Sequence, residues 1–319
     1  MEVRRIGPVF GAEVDVDLRA PVGGETIAAV RAALNEHEVL VVRDQDLSGE
    51  DMLALGHAFG ELLCNPFSPS ADDAPELIIF DNHDENPAAL TDVWHADETF
   101  RAEPPSVTML HSLIAPSLGG GTMFASMRAA YELLSERMKA FIEGLTALHD
   151  FGRFDGLFPN EPDARARLHQ IELAFPHPVH PVVRVHPETG RRVLYVNRHF
   201  TRRINELPED EGAALLELLL TRPSMSEIQL RIDWRAGTLV MWDNRSVQHY
   251  ACHDYYPQRR RMQRVTVAGD RPVADAPPPS RSVQRVVVAN PPVQPEDASV
   301  PRRRVLRPFE RTGGEVPVS

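Results

Sequence analysis

The strongest constraint on the fold is a series of short segments past residue 75 that are rich in β-branched and aromatic side chains. One segment places Ile228, Leu230, Ile232 and Trp234 at every second position, as a strand with one buried face requires. Many short strands with few helices favour a closed or sandwiched antiparallel sheet over a doubly wound one. The predicted strand segments are ELIIFD, PSVTMLHSLIA, GTMFAS, HPVVRVH, RRVLYVN, SEIQLRIDW, GTLVMWD and RMQRVTVAG.

A few helices are predicted to flank these strands. Apolar residues recur at helical spacing from Glu25 to His37, and the buried strand EVLVVRD follows them. A second helix is predicted to begin with Ser48 as its N-cap and to stop near Gly60. Two helical insertions, MRAAYELLSERMKAFIEGL and PEDEGAALLELLLTR, interrupt the strands. The expected class is mainly β with flanking helices.

Composition narrows the classes of partner and location. A formal net charge of -12 repels phosphate backbones, so no nucleic-acid partner is expected. The longest apolar runs are far too short for a membrane span and the N-terminus shows no signal-peptide core, so we expect no membrane association and a cytoplasmic location. Cys64 and Cys252 are too few for a disulfide framework, and we interpret both as reduced and partly buried.

The composition changes near Arg271. A chain of 319 residues with 42% hydrophobic content can bury an ordinary core, and residues 1–270 are predicted to form one domain. Residues 271–319 are rich in proline and have little periodicity. They are predicted to be a C-terminal extension that is extended or disordered, or that wraps the domain or a neighbouring subunit.

The stretch TDVWHADETF holds the first candidate site, because His95 and Asp97 stand two residues apart. On a strand, residues at this spacing project to the same face, so both side chains can converge on one metal ion. An isolated pair of this kind also occurs at polar strand ends, so a third ligand is needed. The chain has no HExxH or CxxC, which argues against the common zinc hydrolase and zinc finger sites.

The third ligand is expected in the segment from Met241 to Asp270, where His249 and His253 precede a cluster of arginines. Two histidines and one carboxylate on one face of a metal suit non-haem Fe(II) and leave three positions open. Three positions are enough for a bidentate 2-oxo acid and dioxygen. The distal carboxylate of 2-oxoglutarate calls for a fork-shaped donor such as arginine. Spacing alone leaves His249 and His253 as alternatives.

The sequence resembles the taurine dioxygenase and 2,4-dichlorophenoxyacetate dioxygenase (TauD/TfdA) family of Fe(II)/2-oxoglutarate-dependent oxygenases. The resemblance covers roughly residues 6 to 271 and implies a double-stranded β-helix core, the cupin-like jelly roll. The matching segments, in order, are GPVFGAEVDVDL, EVLVVRDQDLS, GHAFGEL, VWHADETFRAEPPSVTML, GGGTMFASMRAAYELLS, HPVVRVHPETGRRVLYVN and WDNRSVQHYACHDYYPQRRRMQRVTVAGD.

The resemblance assigns roles to individual residues. It implies that His95, Asp97 and His249 bind Fe(II), because His249 stands in the matching WDNRSVQH context. Thr122, in GGGT, and Arg260 match the residues that bind the distal carboxylate of the co-substrate 2-oxoglutarate. His253 is thereby left without a role at the metal.

Other matches concern the substrate. Arg264 matches an arginine that meets an anionic group on the substrate, and Phe200 matches a family pocket aromatic. Where taurine dioxygenase uses a histidine, a tyrosine and an asparagine, this chain has Asn65, Ser68 and Thr91. Taurine is therefore not the expected substrate.

Four aromatic residues have two interpretations each. Phe151 and Phe154 either line the substrate cavity or pack in the core. Trp94 and Trp242, beside two predicted ligands, either shape the surroundings of the metal or belong to the core.

The resemblance implies hydroxylation of an unactivated C–H bond in a small anionic substrate, with O2 consumed and succinate and CO2 as co-products. An alkyl sulfonate, an aryloxyalkanoate or a carboxylated metabolite would fit. Asp97 favours hydroxylation over halogenation, because related halogenases replace this carboxylate with a small residue. Desaturation or rearrangement by the same iron chemistry, and a non-catalytic binding protein on the same fold, are the alternatives. A homodimer or tetramer is expected.

Overall fold

The computed structural model describes residues 1–275, except residues 69, 72 and 87–89. Residues 276–319, most of the predicted proline-rich extension, lie outside the described residues. The described start of that extension is attached to the domain, because the carbonyl of Val273 accepts a hydrogen bond from the amide of Val185 at 2.8 Å.

The described part of the chain contains sixteen strands, which outnumber its helices, in agreement with the predicted class of mainly β with flanking helices. The strands are β1 (Glu2–Arg5), β2 (Ala12–Asp15), β3 (Val39–Val42), β4 (Ser70–Ala71), β5 (Ala74–Asn82), β6 (Val107–Ile114), β7 (Thr122–Ser126), β8 (Thr146–His149), β9 (Val179–Pro181), β10 (Val183–Val185), β11 (Arg192–Leu194), β12 (Thr201–Ile204), β13 (Gln229–Ile232), β14 (Leu239–Asp243), β15 (Val247–Ala251) and β16 (Arg260–Val267).

Within the described residues, six α-helices and three short 3-10 helices accompany the strands. The α-helices are α1 (Gly24–His37), α2 (Gly49–Phe59), α3 (Met127–Glu132), α4 (Glu136–Ile142), α5 (Pro162–Ala174) and α6 (Glu209–Leu220). The 3-10 helices are Gly152–Leu157, Arg222–Ser224 and Ser226–Ile228. None of the helices in the described part of the chain is both long enough and apolar enough to cross a bilayer.

Two sheets pack face to face around the central core. The larger has eight strands in the order β1-β2-β3-β14-β6-β16-β5-β4, and the smaller has the order β13-β7-β15. Apolar side chains from both sheets meet between them, including Val41, Val240 and Met262 from the larger and Phe124 and Val247 from the smaller. This is the predicted double-stranded β-helix, although the two sheets do not close into a continuous barrel within the described residues.

The outer face of the larger sheet is covered by α1 and α2. Strand β3 shows why both faces are buried: Val39 and Val41 point into the core between the sheets, whereas Leu40 and Val42 pack under the helices. A strand buried on both faces reads as a continuous apolar run rather than an alternating one. The segment EVLVVRD follows that rule.

Helix α2 begins where the sequence predicts it. The hydroxyl of Ser48 accepts from the amide of Asp51 at 3.1 Å, and the carboxylate of Asp51 accepts from the amide of Ser48 at 2.9 Å. This reciprocal pair is a capping box, which satisfies two amides that the helix itself leaves unpaired.

The segment after Ser126 is predicted from the sequence to be one helical insertion, but it forms two helices, α3 and α4. Helix α4 has its own N-cap, in which the hydroxyl of Ser135 accepts from the amide of Met138 at 3.2 Å. Serine in this position competes with continuation of the preceding helix. The alternating segment is also shorter as a strand than predicted, and Leu230 is only partly buried.

Ser48→Ala should lower the free energy of unfolding by about 1 kcal/mol, because it removes the capping hydroxyl of α2. Chemical denaturation followed by circular dichroism measures the change. His57→Ala, an exposed substitution in the same helix, is the control and should change that free energy by less than about 0.5 kcal/mol. Equal effects of the two substitutions would contradict a stabilising cap.

Candidate metal centre and active site

His95 and His249 are brought together by their own backbones. The amide of His95 donates to the carbonyl of His249 at 3.1 Å, and the amide of His249 donates to the carbonyl of His95 at 2.8 Å. His249 lies in β15, whereas His95 forms an isolated bridge and Asp97 begins a turn. The predicted pair therefore lies beside a strand rather than within one, and the turn directs Asp97 toward the histidines.

The three predicted ligands form one buried cluster. Nε2 of His95 lies 3.9 Å from Oδ1 of Asp97, and Nε2 of His249 lies 3.8 Å from the same oxygen. Ligand atoms from all three residues lie within 4.8 Å of one another. Two imidazole nitrogens and one carboxylate oxygen at this spacing fit a single divalent ion, so the residues present fit an iron centre.

Hydrogen bonding leaves the metal-facing nitrogen of His95 available. Its Nδ1 donates to the carbonyl of Val93 at 2.6 Å, which leaves the lone pair on Nε2. Burial is the main cause that lowers the pKa of both His95 and His249, and neutral imidazoles are the form that binds metals. Nδ1 of His249 has no hydrogen-bond partner in the described part of the chain, and this ring packs against Trp242 at 4.8 Å between centroids.

A chain of hydrogen bonds fixes the carboxylate of Asp97. The hydroxyl of Thr108 donates to Oδ2 of Asp97 at 2.8 Å and accepts from Nδ2 of Asn244 at 2.7 Å. The Asn244 carbonyl in turn accepts from the indole of Trp242 at 3.0 Å. Thr108 holds Oδ2 and both histidine nitrogens lie nearest to Oδ1, so Oδ1 is the oxygen placed to bind a metal.

The same carboxylate is ionised. Burial alone would raise the pKa of Asp97. The nearby Arg264, His249 and His95 and the hydrogen bond from Thr108 have the larger, opposite effect, and together they lower this pKa to about 2. Asp97 therefore carries its negative charge at neutral pH.

A glycine turn positions Thr122 at the start of β7. Gly119 and Gly120 have φ angles of 79° and 66°, and a Cβ at Gly119 would lie 2.3 Å from the carbonyl oxygen of Asp254. Only glycine fits such a backbone without strain. The hydroxyl of Thr122 accepts from the indole of Trp234 at 3.0 Å, so its own proton is free to face the cavity that it lines.

Arg260 is a buried cation without a carboxylate partner in the described part of the chain. Alternation along β16 puts Arg260, Met262 and Arg264 on the inner face of the sheet. Burial lowers the pKa of Arg260 to about 10, so the guanidinium stays charged at neutral pH. It lies over the ring of Trp234 at 5.5 Å and lines the same cavity as Thr122. A buried unpaired guanidinium beside a free hydroxyl is suited to a carboxylate ligand.

Arg264 stands between the ligand cluster and the cavity. Its Nη2 lies 3.3 Å from Oδ1 of Asp97 and 3.8 Å from Oε1 of Glu98. Its Nε donates to the hydroxyl of Thr266 at 3.0 Å, which orients the guanidinium. The sequence predicts contact with substrate, and the structure adds this direct contact with a predicted metal ligand.

One cavity of about 330 Å³ joins the ligand cluster to the surface. It is lined by all nine residues that the sequence assigns to the site. Those residues are His95, Asp97, His249, Thr122, Arg260, Arg264, Phe200, Asn65 and Thr91. Four phenylalanines form one of its walls, which we call the phenylalanine wall: Phe67, Phe100, Phe154 and Phe200.

The residues that stand where taurine dioxygenase has substrate-binding groups are already engaged. The side-chain Nδ2 of Asn65 donates to the carboxylate of Glu98 at 2.8 Å, and its Oδ1 accepts from the backbone amides of Phe67 and Ser68. The hydroxyl of Thr91 lies 2.9 Å from Nε2 of His253. His253 also lines the cavity, but it is not part of the metal cluster.

The four aromatic residues with two interpretations each do not all have the same outcome. Phe154 lines the cavity, whereas Phe151 packs behind it in the same apolar cluster. Trp242 contacts His249, while Trp94 packs against Tyr250 at 5.8 Å. The prediction of two partly buried cysteines is wrong for Cys64, which is exposed because its loop follows the end of α2.

Several site residues are missing from the sequence-based set. Thr108 and Asn244 lie in segments that match the family, but their partnership joins positions far apart in the chain. Tyr255 and His199 also line the cavity. Burial lowers the pKa of His199 to about 3, with His95 as a further cause. Its sequence context, NRHF, was a signal only for the neighbouring Phe200.

Comparison with known proteins agrees with this geometry. The family described as "Taurine catabolism dioxygenase TauD, TfdA family" matches residues 2–266. An alkylsulfatase of Acinetobacter baylyi is 34% identical, over 85% of this chain and 86% of its own length. An alpha-ketoglutarate-dependent sulfate ester dioxygenase of Pseudomonas putida is 33% identical, over 86% of this chain and 91% of its own length.

Solved structures give the same result. A putative alpha-ketoglutarate-dependent taurine dioxygenase from Burkholderia xenovorans has a TM-score of 0.72 and 33% identity, covering 85% of this chain and 91% of that one. AAD-2, solved in complex with Mn(II) and N-oxalylglycine, has a TM-score of 0.71 and 30% identity, covering 85% of this chain and 98% of that one.

Fold and site together define an Fe(II)/2-oxoglutarate-dependent dioxygenase, an oxidoreductase that uses Fe(II), 2-oxoglutarate and O2. The chain belongs to the TauD/TfdA family of these enzymes.

Thr108→Val should weaken metal binding roughly tenfold or more, because Oδ2 of Asp97 and the amide of Asn244 both lose their partner. Calorimetric titration of the metal-free protein with Mn(II) measures the affinity. Thr238→Val removes an equally buried hydroxyl that bonds Arg43 instead, so it should leave the affinity unchanged. The same Mn(II) affinity in both variants would show that Thr108 does not support the ligand.

Proposed function

We propose that this enzyme hydroxylates the carbon next to the ester oxygen of an alkyl sulfate, and so releases an aldehyde and inorganic sulfate. His95, Asp97 and His249 bind Fe(II), Thr122 and Arg260 bind the distal carboxylate of 2-oxoglutarate, and Arg264 meets the sulfate group. When bound, iron with 2-oxoglutarate activates O2. The protein's own residues hold the substrate so that one C–H bond faces the metal.

The proposed binding site for 2-oxoglutarate is supported mainly by Arg260. Its guanidinium is buried, stays charged, and has no carboxylate partner in the described part of the chain. Leaving such a charge unpaired in the interior is unfavourable, whereas a bound carboxylate would satisfy it. The hydroxyl of Thr122 in the same cavity supplies a second donor.

The acidic residues that line the cavity are already paired with arginines or belong to the metal cluster. This observation supports an anionic substrate that has no ammonium group. Glu98 is bound by Arg101 at 2.7 Å, and Asp81 is paired with Arg259. Asp97 is the predicted metal ligand. No carboxylate that lines the described part of the cavity is therefore free to bind an ammonium group, whereas Arg264 can bind an anion.

The rest of the substrate is expected to be apolar. The phenylalanine wall gives the cavity a surface suited to an alkyl chain, which is stabilised by burial of its apolar area. The names of two relatives, an alkylsulfatase and a sulfate ester dioxygenase, support the sulfate ester among anions of this shape.

The proposed reaction is balanced. One atom of O2 enters the carbon that bears the ester oxygen, and the other enters succinate as 2-oxoglutarate loses CO2. The hydroxylated carbon then expels sulfate: the C–O bond to sulfate breaks, the hydroxyl proton leaves, and a C=O bond forms. A sulfonate hydroxylated at the corresponding carbon would release sulfite instead.

Cytoplasmic location and a dimeric or tetrameric assembly remain predictions from the sequence and the family resemblance.

The purified enzyme with Fe(II), ascorbate and 2-oxoglutarate should convert hexyl sulfate to hexanal and inorganic sulfate, with one succinate formed per sulfate. Ion chromatography measures sulfate and sulfite. Hexanesulfonate and phenoxyacetate are the matched competitors, and each should give a lower kcat/KM. Faster succinate formation with either competitor would overturn the sulfate ester in favour of that class.

Arg260→Met should raise the KM for 2-oxoglutarate roughly ten- to hundredfold, because a charge-assisted hydrogen bond is lost. Arg264→Met should instead raise the KM for hexyl sulfate more than that for 2-oxoglutarate. Arg261→Met is the matched control, because Arg261 lies on the opposite face of β16 and pairs with Asp81. Metal content is measured in all three variants, since Arg264 also contacts Asp97. The reverse pattern of KM changes would exchange the two roles.

A further inference from the structure

His199 is a buried histidine beside the metal cluster, and one of its two ring nitrogens is left without a hydrogen bond in the described part of the chain. Only 2% of the residue is exposed, and Nδ1 has no hydrogen-bond partner in the described part of the chain. Its ring lies 5.1 Å from that of His95 between centroids, and the residue lines the cavity.

Among the buried histidines, only the predicted ligand His249 shares an Nδ1 without a partner in the described part of the chain, whereas histidines away from the metal cluster use their ring nitrogens. His149 lies between the hydroxyls of Thr99 and Thr201, at 3.0 Å and 3.3 Å. His180 lies 3.0 Å from two carbonyl oxygens, and none of these contacts depends on a ligand. A buried polar group without a partner destabilises a fold unless a ligand satisfies it.

The backbone around His199 holds the side chain in place. The side-chain carbonyl of Asn197 accepts from the amides of His199 and Phe200, at 3.1 Å and 2.9 Å. The same side chain donates to Thr99 at 2.9 Å, which ties this turn to the turn that carries Asp97. The ring itself is clamped edge-to-face by Phe154 and Phe200, both at 4.9 Å.

The position next to His95 suits the head group of the proposed substrate. In an alkyl sulfate the reacting carbon is bonded directly to the ester oxygen, so the sulfuryl oxygens must lie beside the metal when that carbon faces it. Arg264 contacts Asp97 and His199 contacts His95, so both border this place. An imidazole carries at least one N–H in each of its charge states in proteins, and a sulfuryl oxygen accepts hydrogen bonds.

We infer that His199 donates a hydrogen bond to a sulfuryl oxygen of the substrate and, together with Arg264, sets the selectivity for the sulfate group. The inference rests on the proposed function. In this arrangement Phe154 and Phe200 have two roles: they hold the imidazole of His199 in position, and they contact the alkyl chain of the substrate.

The test compares His199→Phe, which fills a similar shape without a donor, with His199→Asn, which restores an N–H near the position of Nδ1. His149→Phe is the matched control, because it removes a buried imidazole that has partners and does not line the cavity. Thermal unfolding should show a lower Tm for His149→Phe and an unchanged or higher Tm for His199→Phe. A fall in Tm as large as the control's would mean that His199 is structural, and would overturn the inference.

Binding is measured by calorimetry without oxygen, on enzyme loaded with Fe(II) and 2-oxoglutarate. His199→Phe should raise the Kd for hexyl sulfate roughly ten- to hundredfold and leave the Kd for 2-oxoglutarate unchanged. His199→Asn should recover most of the lost affinity. An unchanged Kd for hexyl sulfate in His199→Phe, or an equal loss for 2-oxoglutarate, would overturn the inference while sulfate release by the wild type still upheld the function. A wild type that neither binds hexyl sulfate nor releases sulfate would refute the proposed substrate, and the role of His199 with it.

Discussion

The active site depends on the reciprocal backbone hydrogen bonds between His95 and His249. These two bonds attach an otherwise irregular segment to the middle of β15, and so determine where the following turn carries Asp97. The smaller sheet then aligns Thr122 directly opposite Ala251 on the neighbouring strand β15. This backbone bridge therefore holds the three predicted ligands within reach of one ion. Such preorganisation reduces the conformational entropy that metal binding must overcome.

The distribution of charge in the interior separates structural ions from functional ones. Asp243 is buried between Arg245 and His186, and its charge is satisfied by hydrogen bonds within the protein. Arg260 is equally buried and has no carboxylate partner in the described part of the chain. Buried charges are normally paired, so the unpaired one identifies where a ligand must bring the opposite charge. The same logic applies to the unsatisfied nitrogen of His199, which lacks a hydrogen bond rather than a counter-charge.

The parts of the fold that follow from local pattern were predictable. Alternation indicated the strands, Ser48 marked the start of α2, and the spacing of His95 and Asp97 indicated a metal clamp, although His249 was distinguished from His253 only through family resemblance. Contacts between distant segments were not predictable in the same way. Thr108 supports Asp97 from β6, and Asn244 supports it from the turn after β14; no local spacing reveals that pair. The split between α3 and α4 was missed because apolar periodicity continues through Ser135, whereas its cap depends on a single hydroxyl.

Part of the phenylalanine wall lies apart from the strands that carry the metal and co-substrate residues, although Phe100 lies in the turn that carries Asp97. Thr122, His249 and Arg260 lie on strands of the two packed sheets, whereas Phe67 lies in a loop and Phe154 in the short 3-10 helix Gly152–Leu157. Loops accept substitution and insertion more readily than paired strands. Evolution can therefore reshape the loop and the 3-10 helix of the substrate wall without disturbing the oxygen chemistry. One scaffold can diversify in this way across relatives named for sulfate esters, sulfonates and phenoxy acids.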